Sequence, residues 1–288
     1  MSSAVAQRQV FVFGAGKVGR GLARSLRRAG YAVTLRPQRK GLPARRIDAE
    51  ILVIAVRDRD VPRVAEELRR RALVGHRPVV IAHCAGALGP EALAAARSEK
   101  VSVAQMHPMI SFATPEATPD LTRGQLLVSG DARAVRVLIA LGRRLGMTPR
   151  QLPGLDRVAY HAAAGLVANG AAALAAGGQA LLEAAGVDAE TAATMLGPLL
   201  RSVAENVERL GLPEALTGPV RRGDAAGVEK HLAVVAKLAP EMVPLYLASA
   251  RVQLPLARAL GDGEAAGFQA IERVLDGEAR ELRGIDQG

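Results

Sequence analysis

Gln9-Val10-Phe11-Val12-Phe13-Gly14-Ala15-Gly16-Lys17-Val18-Gly19 is the stretch that decides the fold. Its first five residues favour a short buried strand, and the glycines that follow are spaced G-x-G-x-x-G. Beyond them Val18, Leu22 and Leu26 lie four residues apart, which is one face of a helix that Gly30 closes. Tyr31-Ala32-Val33-Thr34-Leu35 then reads as a second strand. Strand, glycine turn, helix, strand is the context in which this spacing cradles a dinucleotide. Gly14 permits the tight turn, Gly16 lets a pyrophosphate approach the backbone, and Gly19 lets helix and strand pack closely. With Ala15, Lys17 and Val18 they form the expected cofactor turn at a helix N-terminus, where unpaired N–H groups and the helix dipole favour anions.

The second strand indicates which dinucleotide. A site for NAD ends this strand on a carboxylate that accepts from the ribose hydroxyls. Here Arg36 stands there, followed by Pro37, Gln38, Arg39 and Lys40. A carboxylate repels a 2′-phosphate and a guanidinium binds it, so Arg36 and Arg39 point to NADP(H) as the cofactor.

The alternation continues outward. Ile51 to Val56 reads as a buried strand, Asp60 and Pro62 start a helix through Leu73, and Pro78 to Ala82 is a further strand. A helix over Pro90 to Arg97, a strand from Val101 to Gln105, a last strand from Gln125 to Ser129 and a helix from Ala132 to Leu145 follow. This predicts an α/β fold with a mostly parallel sheet of the Rossmann type over residues 1–152. Ligands of such sheets bind beyond the carboxyl ends of the strands. That nominates Val56 and Arg57, the loop from His83 to Gly86, and Met106 to Met109.

From Leu155 the strand signal ends, and residues 153–288 read as an all-helical substrate and dimerisation domain. A long Ala-rich helix covers Val158 to Glu183, Asp188 caps the next to about Leu210, and Asp224 caps another through Leu238. Pro240 opens a helix to Leu260, and a last one lies near Glu264 to Leu275. Pro198 is expected to kink its helix. On the first long helix His161, Gly165 and Asn169 share one face, with Tyr160 beside them.

Composition narrows the remaining possibilities. Of 288 residues 49% are hydrophobic and 2% aromatic, so a core is built from Ala, Val and Leu. The net charge of +10 comes mostly from 33 Arg, which favours anionic small molecules. The bases are scattered among acids, as in Arg57-Asp58-Arg59-Asp60, and no aromatics interleave them, which argues against nucleic acid as a partner. Cys84 is the single cysteine, so neither an internal disulfide nor a thiolate metal cluster is expected, and no metal site is predicted. Met1 to Gln9 lacks a secretory hydrophobic segment, and Ala162 to Ala176 is too short for a bilayer, so a cytoplasmic protein with no membrane partner is expected.

Several motifs together resemble one family. They are the glycine turn, Asp48 to Asp58, His83 to Gly89, Gln105 to Met109, Tyr160 to Asn169, and Leu216 to Asp224. The chain resembles the bacterial Rossmann-like proteins whose C-terminal half is domain of unknown function 2520, relatives of ketopantoate reductase, pyrroline-5-carboxylate reductase and 6-phosphogluconate dehydrogenase. The resemblance implies an oxidoreductase that moves a hydride between NADPH and the carbonyl or imine carbon of a small, carboxylate-bearing substrate, and a homodimer paired through the C-terminal helices. Related enzymes carry a Lys where this chain has His161 and an Asn where it has Gly165, while Asn169 matches their second Asn. An ammonium is protonated at pH 7 and an ordinary imidazole is mostly neutral, so the departure changes the proton chemistry. His107-Pro108-Met109 is similar to a prephenate dehydrogenase segment whose His contacts the substrate hydroxyl.

On this reading His161 and His107 donate a proton or polarise the substrate, and Asn169 orients it. Tyr160 and Arg222, or its neighbour Arg221, bind substrate, and His83 and Gly86 face the nicotinamide. The alternative is an NADP-binding sensor or scaffold that performs no chemistry.

Overall fold

The structure, a computed structural model, describes residues 8–285. The amino-terminal segment expected to lack a secretory signal lies, over residues 1–7, outside the described residues. The chain divides into two compact units, residues 1–166 and 167–288. The division falls inside the long helix rather than at 152/153, because that helix's first turns hydrogen-bond into the first unit.

The first unit is built on one seven-stranded sheet. Its strands are β1 (Gln9–Phe13), β2 (Ala32–Arg36), β3 (Ile51–Ile54), β4 (Val79–His83), β5 (Val101–Met109), β6 (Gln125–Gly130) and β7 (Thr148–Arg150), in the order β2-β1-β3-β4-β5-β6-β7. All neighbours are parallel except β5 and β6. Side chains alternate across the sheet, as period-two strands require. Val10, Val12, Ile51 and Val53 face one side, with Leu22 and Leu26 of α1 (Lys17–Arg28) and Leu138 and Leu141 of α3 (Ala132–Arg144). Phe11, Phe13, Leu52 and Ile54 face the other, with Val61, Val64 and Leu68 of α2 (Val61–Arg70). Each such fully buried Leu contributes about 1.5–3 kcal/mol. β1 has β2 on one side and β3 on the other, so the strand order reverses there, and the carboxyl ends of β1 and β3 open the crevice where such sheets bind ligands.

Four local expectations are corrected. The strand read as Ile51 to Val56 ends at Ile54, because Ala55 donates to Phe13 as the last rung and the chain then turns over Gly14. The Pro90 to Arg97 helix is a 3₁₀ helix, Pro90–Ala96, a short run that stops where Arg97 turns extended. β5 continues through Pro108 to Met109. Beyond Gln105 it has no β4 partner and pairs with β6 alone, so a residue without an N–H is tolerated there. Finally, β6 is antiparallel and not the last strand, since Thr148–Arg150 adds a parallel edge. Residues 110–124, between β5 and β6, strap onto α1, where Arg24 donates to the hydroxyl of Thr118 and to the carbonyls of Pro115 and Ala117, both at 2.8 Å.

The second unit is helical. α4 (Arg157–Ala184) enters it, followed by α5 (Ala189–Leu210), α6 (Ala225–Leu238), α7 (Val243–Leu260) and α8 (Ala265–Ile285). Asp188 caps α5 by accepting from the Thr191 N–H at 2.9 Å, and Asp224 caps α6 by accepting from Gly227 at 2.9 Å. Val228, Leu232, Leu247, Leu254, Phe268 and Ile271 form its core. α4 is long and apolar enough to cross a membrane by length and composition, longer than the segment weighed in the sequence. Its first turn, however, carries Arg157 bonded to a buried glutamine of β5.

Candidate active site

A cleft of about 580 Å³ opens at the strand reversal. Its floor is the turn Gly14, Ala15, Gly16, Lys17 and Val18, and its flanks are Pro37 to Arg39 after β2 and Val56 to Asp58 after β3. Cys84 to Gly86 after β4, His107 of β5 and His161 of α4 complete it. All of these residues belong to the first unit.

The three glycines do different work. A Cβ on Gly14 would strike the carbonyl oxygen of Ala55, and φ is +112° there, so the residue is confined to glycine twice over. A Cβ on Gly19 would strike the carbonyl of Gly14, and Gly19 is what lets α1 start against the turn. Gly16 has nothing within 4 Å of where a Cβ would stand, so its face is open to the cleft. No side chain caps the first turn of α1, and Arg20 holds the loop by donating to the Ala15 carbonyl at 2.9 Å. An open cradle, uncapped N–H groups and nearby Lys17, Arg20 and Arg39 fit a dinucleotide pyrophosphate and its anionic neighbours.

Two of the sequence-assigned residues sit elsewhere. Arg36 does not line the cleft; its guanidinium donates to the carbonyls of Gly41 at 2.6 Å and Lys40 at 2.8 Å, fastening the loop after β2 and leaving Arg39 as the base of that loop that faces the cleft. His83 is fully buried at the end of β4. Its Nδ1 accepts from Ala85 N–H at 3.2 Å, which puts the proton on Nε2 for donation to Gly89 O at 2.9 Å. Burial lowers the pKa of this imidazole and keeps it neutral, so it shapes the loop from inside and does not face a nicotinamide.

The remaining candidates gather around Gly86. A Cβ there would collide with Nδ1 of His161 and lie 2.9 Å from Nε2 of His107. The two imidazoles stand edge to face, 5.8 Å between centroids. On its far side His107 meets Tyr160, Nδ1 to hydroxyl at 2.9 Å, with the rings edge to face at 5.4 Å. Burial, then the neighbouring His161 and His83, push His107 down to about 4, and burial pushes the Tyr160 phenol up. Cys84 also lines the cleft, its thiol pushed up to about 12 by burial.

Sequence reasoning passed over the residues that hold this cluster. Gln105 is fully buried on β5, two residues before His107. Its amide donates to Ala85 O at 2.9 Å and Gly86 O at 3.2 Å. Its carbonyl accepts from Arg157 Nε at 3.1 Å and from the Ser129 hydroxyl at 3.2 Å, while Arg157 also donates to that hydroxyl at 3.0 Å. One satisfied network thus ties the β4 loop, β5, β6 and the start of α4 together. A polar residue in an otherwise apolar strand was the available signal.

Asn169 and Arg222 lie in the second unit, both exposed, without a side-chain hydrogen bond among the described residues. Arg221 is instead structural, donating to Asp262 at 2.5 Å and to the carbonyls of Leu216 and Glu214. Among the described residues no group of three or more His, Cys, Asp or Glu is placed to hold a metal ion.

Fold and cleft define a Rossmann-type unit, with an open glycine turn at its strand reversal, joined to a helical unit. More particularly, residues 125–252 match the family described as Domain of unknown function (DUF2520), the family that its motifs resemble. No curated protein matches it in sequence. Among solved structures it is similar to a provisionally named NADP oxidoreductase from Bacteroides fragilis, 20% identical, with a TM-score of 0.67 over 86% of this chain and 98% of the other. It is similar to an imine reductase from Pseudomonas sp., 21% identical, with a TM-score of 0.57 over 92% and 99%. It is also similar to Plasmodium falciparum pyrroline carboxylate reductase with NADP bound, 13% identical, with a TM-score of 0.58 over 88% and 98%. At these identities the likeness establishes the fold.

Proposed function

We propose that the protein is a soluble, cytoplasmic NADP-dependent oxidoreductase acting on the carbonyl or imine carbon of a small, carboxylate-bearing substrate. The observation that carries this reading is the convergence of Gly86, His107 and His161 on the cleft that begins at the open Gly16. A reduced nicotinamide supplies a hydride when bound. The chain's residues bind it, exclude water from it, and hold a proton where charge develops on the substrate. Gly16 and the first turn of α1 take the pyrophosphate. His107 and His161 donate to, or polarise, the reacting oxygen or nitrogen. The similar proteins named above, two of them called reductases and one crystallised with NADP, support this class of chemistry.

For the cofactor's second phosphate we assign Arg39, which lines the cleft beside Pro37 and Gln38 in a stretch, residues 36–47, that holds no carboxylate. NADPH is expected to bind at least tenfold more tightly than NADH by quenching of protein or cofactor fluorescence. Arg39→Ala should remove most of that preference by weakening NADPH alone. Equal dissociation constants in the unmodified protein sink the NADP assignment. NADPH oxidation across a panel of 2-oxo acids, aldehydes and cyclic imines tests the enzyme reading. Tight NADPH binding with no turnover of any of them favours a sensor instead.

We further propose that the protein works as a homodimer paired through α4 and α5. Their outer faces carry apolar side chains that the chain itself leaves uncovered.

A further inference from the structure

Tyr160 was expected to bind substrate, yet its hydroxyl meets His107 Nδ1 at 2.9 Å and the residue does not line the cleft. The imidazole therefore stands between two environments. One nitrogen is spent on a half-buried phenol, and the other, Nε2, points at Gly86 and the cleft. A neutral imidazole has one N–H and one lone pair, so the partner at Nδ1 decides what Nε2 can do. If Tyr160 donates to Nδ1, the ring's own proton sits on Nε2 and is presented to whatever occupies the cleft.

We propose that Tyr160 and His107 form a proton relay directed at the oxygen of a carbonyl substrate, and that the site is unsuited to imines. The inference rests on the oxidoreductase reading above and narrows it. As a hydride adds to the carbonyl carbon, the carbon–oxygen π pair becomes a lone pair on oxygen. That oxygen takes the proton from His107 Nε2 while Nδ1 takes the proton of the Tyr160 hydroxyl. The ring ends neutral with its proton moved across, and water returns a proton to the phenolate of the partly exposed Tyr160. The net change is one hydride and one proton added to the carbonyl. No imidazolium is needed, which suits a ring whose protonated form is disfavoured by burial and by the histidines around it.

The same arrangement argues against imines. Before it accepts hydride an imine must become an iminium cation, and an iminium is a far stronger acid than a phenol. Tyr160 therefore cannot hold an imine protonated, whereas an alkoxide takes its proton readily. The titratable and charged groups around His107 are Tyr160, His161 and Arg157 from α4 and His83 from β4, and none is an anion that would stabilise a cation. The single carboxylate lining the cleft is Asp58, in the turn after β3.

Two measurements test this, one independent of turnover. In ¹⁵N-labelled protein saturated with NADP⁺, long-range ¹H–¹⁵N spectra should place the His107 proton on Nε2, with Nδ1 a hydrogen-bonded acceptor. Tyr160→Phe should remove that acceptor signature and mix the tautomers. A proton on Nδ1 in the unmodified protein overturns the relay. In turnover, short-chain 2-oxo acids and aldehydes should be reduced by NADPH and cyclic imines should not. Tyr160→Phe should lower kcat about tenfold to a hundredfold, leave KM and the NADPH dissociation constant close to unchanged, and diminish the solvent deuterium effect on kcat. Faster reduction of imines than of carbonyls overturns the inference and leaves the reductase reading standing. No turnover of either class, with NADPH bound, overturns both.

Discussion

His107 couples its place in the site to the stability of the chain. The unfolded ring takes up a proton near its ordinary value of 6.5, whereas the folded ring resists until about 4. Between those values the unfolded state binds more protons, so stability falls as the pH drops from about 6.5 to 4 and the loss levels off below. One unit is worth about 1.4 kcal/mol, which bounds the effect at about 3.5 kcal/mol, reduced by the solvent that reaches a ring at the edge of a cleft. Urea unfolding at pH 7 and pH 4.5 should show the unmodified protein losing more stability than His107→Gln, and equal losses would mean that the ring titrates normally. His83, lowered by burial, pulls in the same direction and remains in both proteins. Of the residues named from the sequence, Gly14, Gly16, Gly86, His107 and His161 lie along the one cleft. Sequence reasoning misjudged His83 and Arg36, because a His or an Arg at the end of a strand looks the same whether its partner is a ligand or a carbonyl four to six residues on. Gln105 was missed because its partners come from three separate elements, the loop after β4, β6 and α4.

At the scale of elements, the glycine turn and α1 act as one part. Its glycines separate folding from binding. Gly19→Ala places a methyl on the Gly14 carbonyl, and neither backbone can yield without parting α1 from β1. The expected cost is about 2–3 kcal/mol or more. Gly16→Ala meets no atom of the chain, so its melting temperature should stay near the parent's while NADPH affinity falls about tenfold. Thermal melts beside cofactor titrations separate the two, and a Gly16→Ala protein that binds normally would place the pyrophosphate elsewhere. This turn was legible because strand, spacing and helix periodicity agree locally. The direction of β6 was not. Whether a strand runs with or against its neighbour is set by where the chain re-enters the sheet, and residues 110–124 give no periodic signal to say so. β7 escaped for a related reason, since three residues at an edge carry too little pattern to register.

For the whole molecule, the telling surface is on the two long helices. α4 buries only Gly177 and α5 only Ala192 among their residues. On α5 Met195, Leu199, Val203 and Val207 repeat every fourth residue and are 42–58% exposed, while Val167 on α4 is 72% exposed. A helical stripe of this kind in water marks a surface that another molecule covers. Two features favour a second copy over a bilayer. α5 carries Glu190, Arg201, Glu205, Glu208 and Arg209 on the side opposite that stripe, charges that the core of a bilayer would not accept. Gly170 and Gly197 have nothing within 4 Å of where a Cβ would stand, leaving room for another helix to approach closely. The protein should therefore sediment at twice its monomer mass at micromolar concentration. Leu199→Glu with Val203→Glu should shift it to monomer while far-ultraviolet circular dichroism keeps its helical signal and the NADPH dissociation constant stays within about twofold. A monomer in the unmodified protein, or flotation with lipid vesicles instead of pairing, would show that something else covers these helices. Retained cofactor binding in the monomer is expected because every residue lining the cleft lies in the first unit.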